Sequence, residues 1–210
     1  MSSGVLVNPD CQSAFQQLSE GKRTLRYIIY KIEEKEVVVE TAKSAEDIGV
    51  DTDDYEDNSK QAYEAFVKDL KDRTDGFTDC RYAVFDFKFT CNRPGAGTSK
   101  MDKIVFIQLC PDGASIKKKM VYASSASAIK SSLGTEKILQ FQVSDESEIA
   151  HKELVNKLSE KYPCANLQAG PTSLFNWRFF NLLFYFFSLS IMLVMFFNLC
   201  SCSMFIKSIY

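Results

Sequence analysis

Apolar and polar positions alternate between two periods over the first 162 residues, and each change of period marks a new element. Asn8-Pro9 opens a helix with proline at the tolerated first position, and Cys11, Ala14, Phe15 and Leu18 fall on one side of it. Period-two runs over Leu25–Ile32 and Val37–Ala42, joined through the polar break Glu33-Glu34-Lys35-Glu36, predict a hairpin. A helix follows over about 59–72, with Asn58 as its cap, Gln61 three residues on, and Ala62, Phe66 and Leu70 stacked one turn apart. Cys80–Phe89 and Ile104–Cys110 read as strands, with Asn92–Ser99 as a Gly/Pro-rich connection. Residues 115–133 are helical in pattern and 138–143 form a strand. Ser144 or Asp145 then caps a last helix carrying Leu154, Leu158 and Tyr162. Strands and helices mixed in this order predict an α/β fold, a sheet covered on both faces.

The pattern stops at Tyr162. Residues 163–174 hold two prolines and a glycine without periodicity and read as a linker. From Phe179 to Ile206 no residue is charged, and nine of the 17 phenylalanines lie between Phe175 and Phe205. About 20 apolar residues suffice to cross a bilayer, so residues 175–210 read in two ways. One is a C-terminal transmembrane helix, with Trp177 near one interface. The other is translated non-coding sequence, which fits the excess of residues with A/T-rich codons better.

Charge narrows the function classes. With 25 basic and 27 acidic residues the chain has no global basic field, which argues against general nucleic-acid binding. The single histidine, His151, excludes two-His metal sites and reads as a surface residue of an amphipathic helix. Seven cysteines without a CxxC pair, and no leader at the start, read as reduced thiols of a cytosolic protein. The five acids between Asp51 and Asp57 lack the central glycine and terminal glutamate of a calcium loop, so they read as a solvated turn before the helix. No Gly-rich phosphate loop follows a strand, and Gly95-Ala-Gly97 lies between two strands as a turn. Nothing marks an enzyme, and no cofactor is expected.

One stretch carries chemistry. In Pro111-Asp-Gly-Ala-Ser-Ile-Lys-Lys-Lys-Met-Val-Tyr-Ala-Ser-Ser three lysines crowd the first turns of a helix, whose positive end favours acids. Cations placed there give up a few tenths of a kcal/mol each unless a partner compensates, and this marks a candidate binding face. A helical projection groups Lys117, Met120 and Ser124, with Ile116 and Ala123 directed elsewhere.

This string, with Ser3-Gly4-Val5, Asp79-Cys-Arg-Tyr-Ala-Val-Phe-Asp-Phe and Lys103-Ile-Val-Phe, resembles the actin-depolymerising factor/cofilin family, most of all its nematode members, over residues 1–162. The resemblance implies an ADF-homology fold with a central mixed sheet of five to six strands. It implies a cytoplasmic, monomeric protein of the actin cytoskeleton that binds actin monomers and filaments, prefers the ADP form, and promotes depolymerisation and severing. By matched motif, Ser3, Gly4, Val5, Lys117, Lys119 and Met120 would contact actin, Lys100, Lys103 and Lys157 would form a filament-only surface, and Ser3 would be the regulatory phosphosite. Met101 and Glu160 stand where strong filament binders carry bases. Phosphoinositides would compete for the same lysines. Within the superfamily the alternative is a coactosin-type filament side-binder. If the tail is expressed, a tail-anchored membrane adaptor is another.

Overall fold

The computed structural model describes residues 4–19, 25–93, 97–135 and 138–162. The linker and the hydrophobic tail lie outside these residues, and so does Ser3. No helix among the described residues is long and apolar enough to cross a membrane.

Eleven elements follow one another: β1 (Leu6–Val7), α1 (Pro9–Ser19), β2 (Leu25–Glu33), β3 (Glu36–Ser44), α2 (Ala45–Ile48), α3 (Lys60–Arg73), β4 (Arg81–Arg93), β5 (Gly97–Leu109), α4 (Ile116–Leu133), β6 (Leu139–Val143) and α5 (His151–Lys161). Six strands form one sheet in the order β1-β3-β2-β4-β5-β6. The four central strands pair antiparallel, while β1 joins β3, and β6 joins β5, in parallel. A parallel neighbour requires a crossover, and α4 supplies the one between β5 and β6.

Strand alternation divides the interior in two. Tyr27, Ile29, Phe85, Phe87 and Ile107 point to the face covered by α3 and α5. Ile28, Tyr30, Tyr82, Val84 and Phe106 point to the face covered by α1 and α4. The expected helix stripes are those that pack: Cys11, Phe15 and Leu18 of α1, Ala62, Phe66 and Leu70 of α3, and Leu154 and Leu158 of α5 are buried.

Departures from the sequence pattern have local causes. The β4–β5 ladder runs out to Arg93↔Gly97, so the Gly/Pro-rich stretch is mostly strand rather than connection. Helix α3 is capped at Ser59 and not Asn58, both of which take left-handed backbone (φ 54° and 55°). The Ser59 hydroxyl makes no capping bond because it accepts from the Lys88 amide at 2.9 Å and donates to the Lys88 carbonyl at 3.0 Å. Helix α5 starts at His151, since Asp145 instead accepts from the Glu146 amide and the Ser147 hydroxyl in a turn of its own. The short α2 has a full capping box between Ser44 and Asp47. The acidic turn is not wholly solvated, because the Asp54 side chain is 7% exposed against Arg26. Cys11, Cys80 and Cys110 are free thiols.

His151 is half-buried and not fully open on the helix surface. Its Nε2 donates to the Asn58 carbonyl at 2.8 Å, and its ring lies against Tyr63 and Phe87. Burial lowers its pKa, and Lys60 adds to this, against the Asn58 bond, Glu64 and Asp57. A histidine with a depressed folded pKa is protonated first in the unfolded chain, so stability falls as pH drops below the unfolded value of about 6.5. The urea midpoint should therefore decline between about pH 7.5 and 5.5, in that titration range. His151→Gln should flatten this part of the profile, and an unchanged slope would show that the ring does not control it.

Candidate functional site

Helix α4 is anchored by its middle and not by its start. Tyr122, Ser125, Ala126, Ile129 and Leu133 are buried, at the three- and four-residue spacing of a packed face. The Tyr122 hydroxyl accepts from the Ile32 amide at 2.8 Å, and Tyr82 donates its hydroxyl to the Tyr122 carbonyl. The first turn, before Tyr122, extends past this packing, and Ile116, Lys117, Lys118 and Met120 are exposed there. Ser115 caps it by accepting from the Lys118 amide at 3.3 Å.

The three lysines have different fates. Lys118 donates to Asp79 Oδ1 at 3.0 Å, and Lys119, half-buried, to Asp112 Oδ1 at 3.2 Å. Two acids from outside the helix thus offset cations that the helix end disfavours. Asp79 is itself braced, with its other oxygen on Arg81 Nη1 at 2.8 Å and Arg81 Nε on Glu40 at 2.7 Å. Burial pushes the Asp79 carboxyl up, but hydrogen bonds from Arg81, Lys118 and the Cys80 amide outweigh it and hold the group low. A chain of charges therefore joins β3 to the lysine helix. Lys117 makes no ion pair among the described residues, and its charge stands open to solvent.

Beside Lys117 the surface is apolar. Among the described residues the exposed large hydrophobic side chains are Leu6, Ile116 and Met120, at 71%, 76% and 67% exposure. Two lie one turn apart on α4, and the third is on β1, which packs against α4. Ile116 therefore joins the face from which the helical projection removed it, since residues four apart sit on one side. Ala123 and Ser124 continue that face as exposed residues. Gly4 leads into β1 with φ 68°, a backbone that favours glycine, and Val5 packs partly against the interior. A cation without an ion pair among the described residues, set among exposed apolar side chains, has the chemistry that an acidic, apolar-lined cleft would complement.

The lysines implied for a second surface do not all come together. Lys103 on β5 and Lys157 on α5 share the α5 face: Lys103 lies over the Tyr162 ring at 4.9 Å and Lys157 over Phe141 at 3.9 Å. Lys100 points to the opposite face by alternation, where it lies over Tyr55 at 4.9 Å and faces Asp53 at 3.8 Å. Leu109 is six residue steps along β5 from Lys103, about 20 Å, so these groups lie far from the start of α4. Met101 is half-buried against the interior, and Glu160 is exposed. Sequence reasoning missed Ile116, Leu6 and the bracing residues Asp79, Asp112, Arg81 and Glu40. Asp79 and Arg81 stood in one matched string and Asp112 and Ile116 in the lysine-bearing stretch, whereas Leu6 and Glu40 had no signal.

Comparison with known proteins gives the arrangement its class. Residues 4–159 match the family model of the cofilin/tropomyosin-type actin-binding proteins, and the chain belongs to that family. It is 70% identical over 156 residues to actin-depolymerizing factor 1, isoforms a/b, of Caenorhabditis elegans, a match covering 74% of each chain. Actin-depolymerizing factor 2, isoform c, of the same organism is 36% identical, over 75% of this chain and 96% of its own. Among solved structures, the ADF-like UNC-60A protein of Caenorhabditis elegans superposes with a TM-score of 0.66 at 70% identity, covering 77% of this chain and 98% of that one. The likeness to human coactosin-like protein, with a TM-score of 0.52 at 12% identity, is one of fold alone. The six-stranded mixed sheet with helices on both faces is thus the ADF-homology fold that the sequence predicts.

Proposed function

We propose that the chain binds actin monomers and filaments, prefers the ADP-bound form, and promotes filament depolymerisation and severing in the cytoplasmic actin cytoskeleton. The observation that carries this reading is the first turn of α4, where Lys117, without an ion pair among the described residues, adjoins exposed Ile116 and Met120. Lys117 and Lys119 steer an acidic partner, and Met120 enters an apolar cleft, so binding energy concentrates in a few central residues. By the matched motif, Ser3, Gly4 and Val5 also contact actin. Lys103 and Lys157, with Lys100 on the other side of the sheet, serve a second contact made only in filaments. Phosphoinositide head groups compete for the α4 lysines, because one cationic face cannot hold both anions. The action is one of binding and needs no catalytic group.

Phosphorylation of Ser3 would bring a charge of about −1.5 to −2 into the actin contact that the matched motif assigns to it, offsetting the cationic face and repelling an acidic partner. The chain added to diluted pyrene-labelled filaments should accelerate their loss of fluorescence, and Ser3→Glu should not. No acceleration by the parent overturns the depolymerising function, and a fully active Ser3→Glu overturns the phosphosite.

A further inference from the structure

Arg81 faces Leu109 across the antiparallel pair of β4 and β5, so one step further along Cys80 stands opposite Cys110. Residues opposed in this way have Cα atoms about 4.5–5.5 Å apart, inside the span of about 4.4–6.8 Å that a disulfide bridges. Both thiols are free and lie in the same cluster, beneath α1 and α4. The neighbouring thiol is the largest influence on the pKa of each. It raises the pKa of Cys80, to which burial adds, and lowers that of Cys110 against its own burial. Gln108 Nε2 also donates to Cys110 Sγ at 3.6 Å, and the Lys119 charge favours its thiolate. Cys110 keeps 8% exposure and Cys80 none. The pair thus sets a slightly exposed thiol with thiolate character opposite a fully buried one.

We propose that Cys80 and Cys110 form an oxidisable cross-strand dithiol, which a hydroperoxide converts to an intramolecular disulfide. The Cys110 thiolate attacks the terminal peroxide oxygen, and the O–O bond breaks. The alkoxide or hydroxide that leaves takes up a proton, and Cys110 becomes a sulfenic acid, oxidised by two electrons. Cys80 then gives up its proton and attacks the sulfenic sulfur. The S–S bond forms, the S–O bond breaks, and the hydroxide leaves with that proton as water. A dithiol reductant reverses the bond by exchange. The disulfide would tie the strand end next to Asp79 to the loop that leads to Asp112, the two acids that hold Lys118 and Lys119. Its chemistry is independent of the actin reading.

Trypsin separates the two sulfurs, placing Cys80 in the peptide 74–81 and Cys110 in the peptide 104–117. The full chain should be treated with hydrogen peroxide, quenched, alkylated in denaturant and digested without reduction. The two peptides should appear joined, lighter by two hydrogens than their sum, and should separate again after a dithiol reductant. In Cys110→Ala the 74–81 peptide should remain alkylated after the same treatment. Recovery of the two parent peptides unlinked, whether alkylated or separately oxidised, overturns the proposal, as does oxidation of Cys80 in the variant at the parent rate.

Discussion

Lys117→Ala combined with Lys119→Ala should weaken binding to monomeric actin by about a hundredfold and remove the chain from the filament pellet. Central interface residues cost about 2 kcal/mol or more when truncated, and about 2.8 kcal/mol is a hundredfold. The structure makes this test a clean one. Lys117 has no ion pair among the described residues, and the Lys119–Asp112 contact involves an acid that is 89% exposed, so its loss costs at most about 1 kcal/mol. Removing two cations from the positive end of a helix also returns a few tenths of a kcal/mol each. Thermal unfolding should therefore stay close to that of the parent while quenching of labelled actin monomers and co-sedimentation are lost. Unchanged affinity in a folded variant would sink the assignment of α4 as the actin-binding helix. A large fall in melting temperature would instead show that Asp112 depends on Lys119 more than its exposure indicates.

The same residues show what a sequence can disclose. The helices α1, α3 and α5 were legible because each buries one stripe, and the 3.6-residue period records which one. β1 was not, since a two-residue strand on an edge has no period to read. Asn92–Ser99 looked like a loop because glycine and proline usually end strands, yet the β4–β5 ladder continues nearly to the turn. At the site, the string of lysines was visible as a conflict with the helix dipole. The partners that resolve the conflict, 39 residues upstream at Asp79 and seven upstream at Asp112, follow from topology and leave no spacing signal. Ile116 was misplaced by the projection, while its exposure identifies it at once. The acidic turn misled for the opposite reason. Its charge density predicts solvent and conceals that Asp54 is directed inward by a partner on β2.

That partner supports the second large effect. Arg26→Met should destabilise the fold by about 3–5 kcal/mol, the usual result of removing one member of a buried ion pair. Arg26 is fully buried; its Nη2 donates to Asp54 Oδ2 at 2.8 Å and to the Ser59 hydroxyl at 2.9 Å, and its guanidinium lies 5.7 Å from the Phe85 ring centre. Through Ser59 the pair also fixes the start of α3 to the Lys88 backbone. Burial already raises the Asp54 pKa, with Arg26 and then Lys88 opposing it. Without Arg26 it rises further, and a carboxyl whose folded pKa lies above its unfolded value favours the fold increasingly as pH falls. The deficit of Arg26→Met should therefore be smaller in urea unfolding at about pH 5 than at pH 8, on the acid and alkaline sides of a raised carboxyl. Replacing both members, as Arg26→Met with Asp54→Leu, should recover most of the loss, because the remaining charge is gone. If the double variant is as unstable as the single one, Arg26 acts through packing on Phe85 and not through its charge. If Arg26→Met costs less than about 1 kcal/mol, the range of an exposed pair, water reaches the pair and the turn is not a structural clasp. Actin affinity should change little in the folded fraction of either variant, since Arg26 is one strand step from Tyr27, which pairs with Phe85 in mid-sheet, while the contact turn of α4 begins beyond the far end of β5.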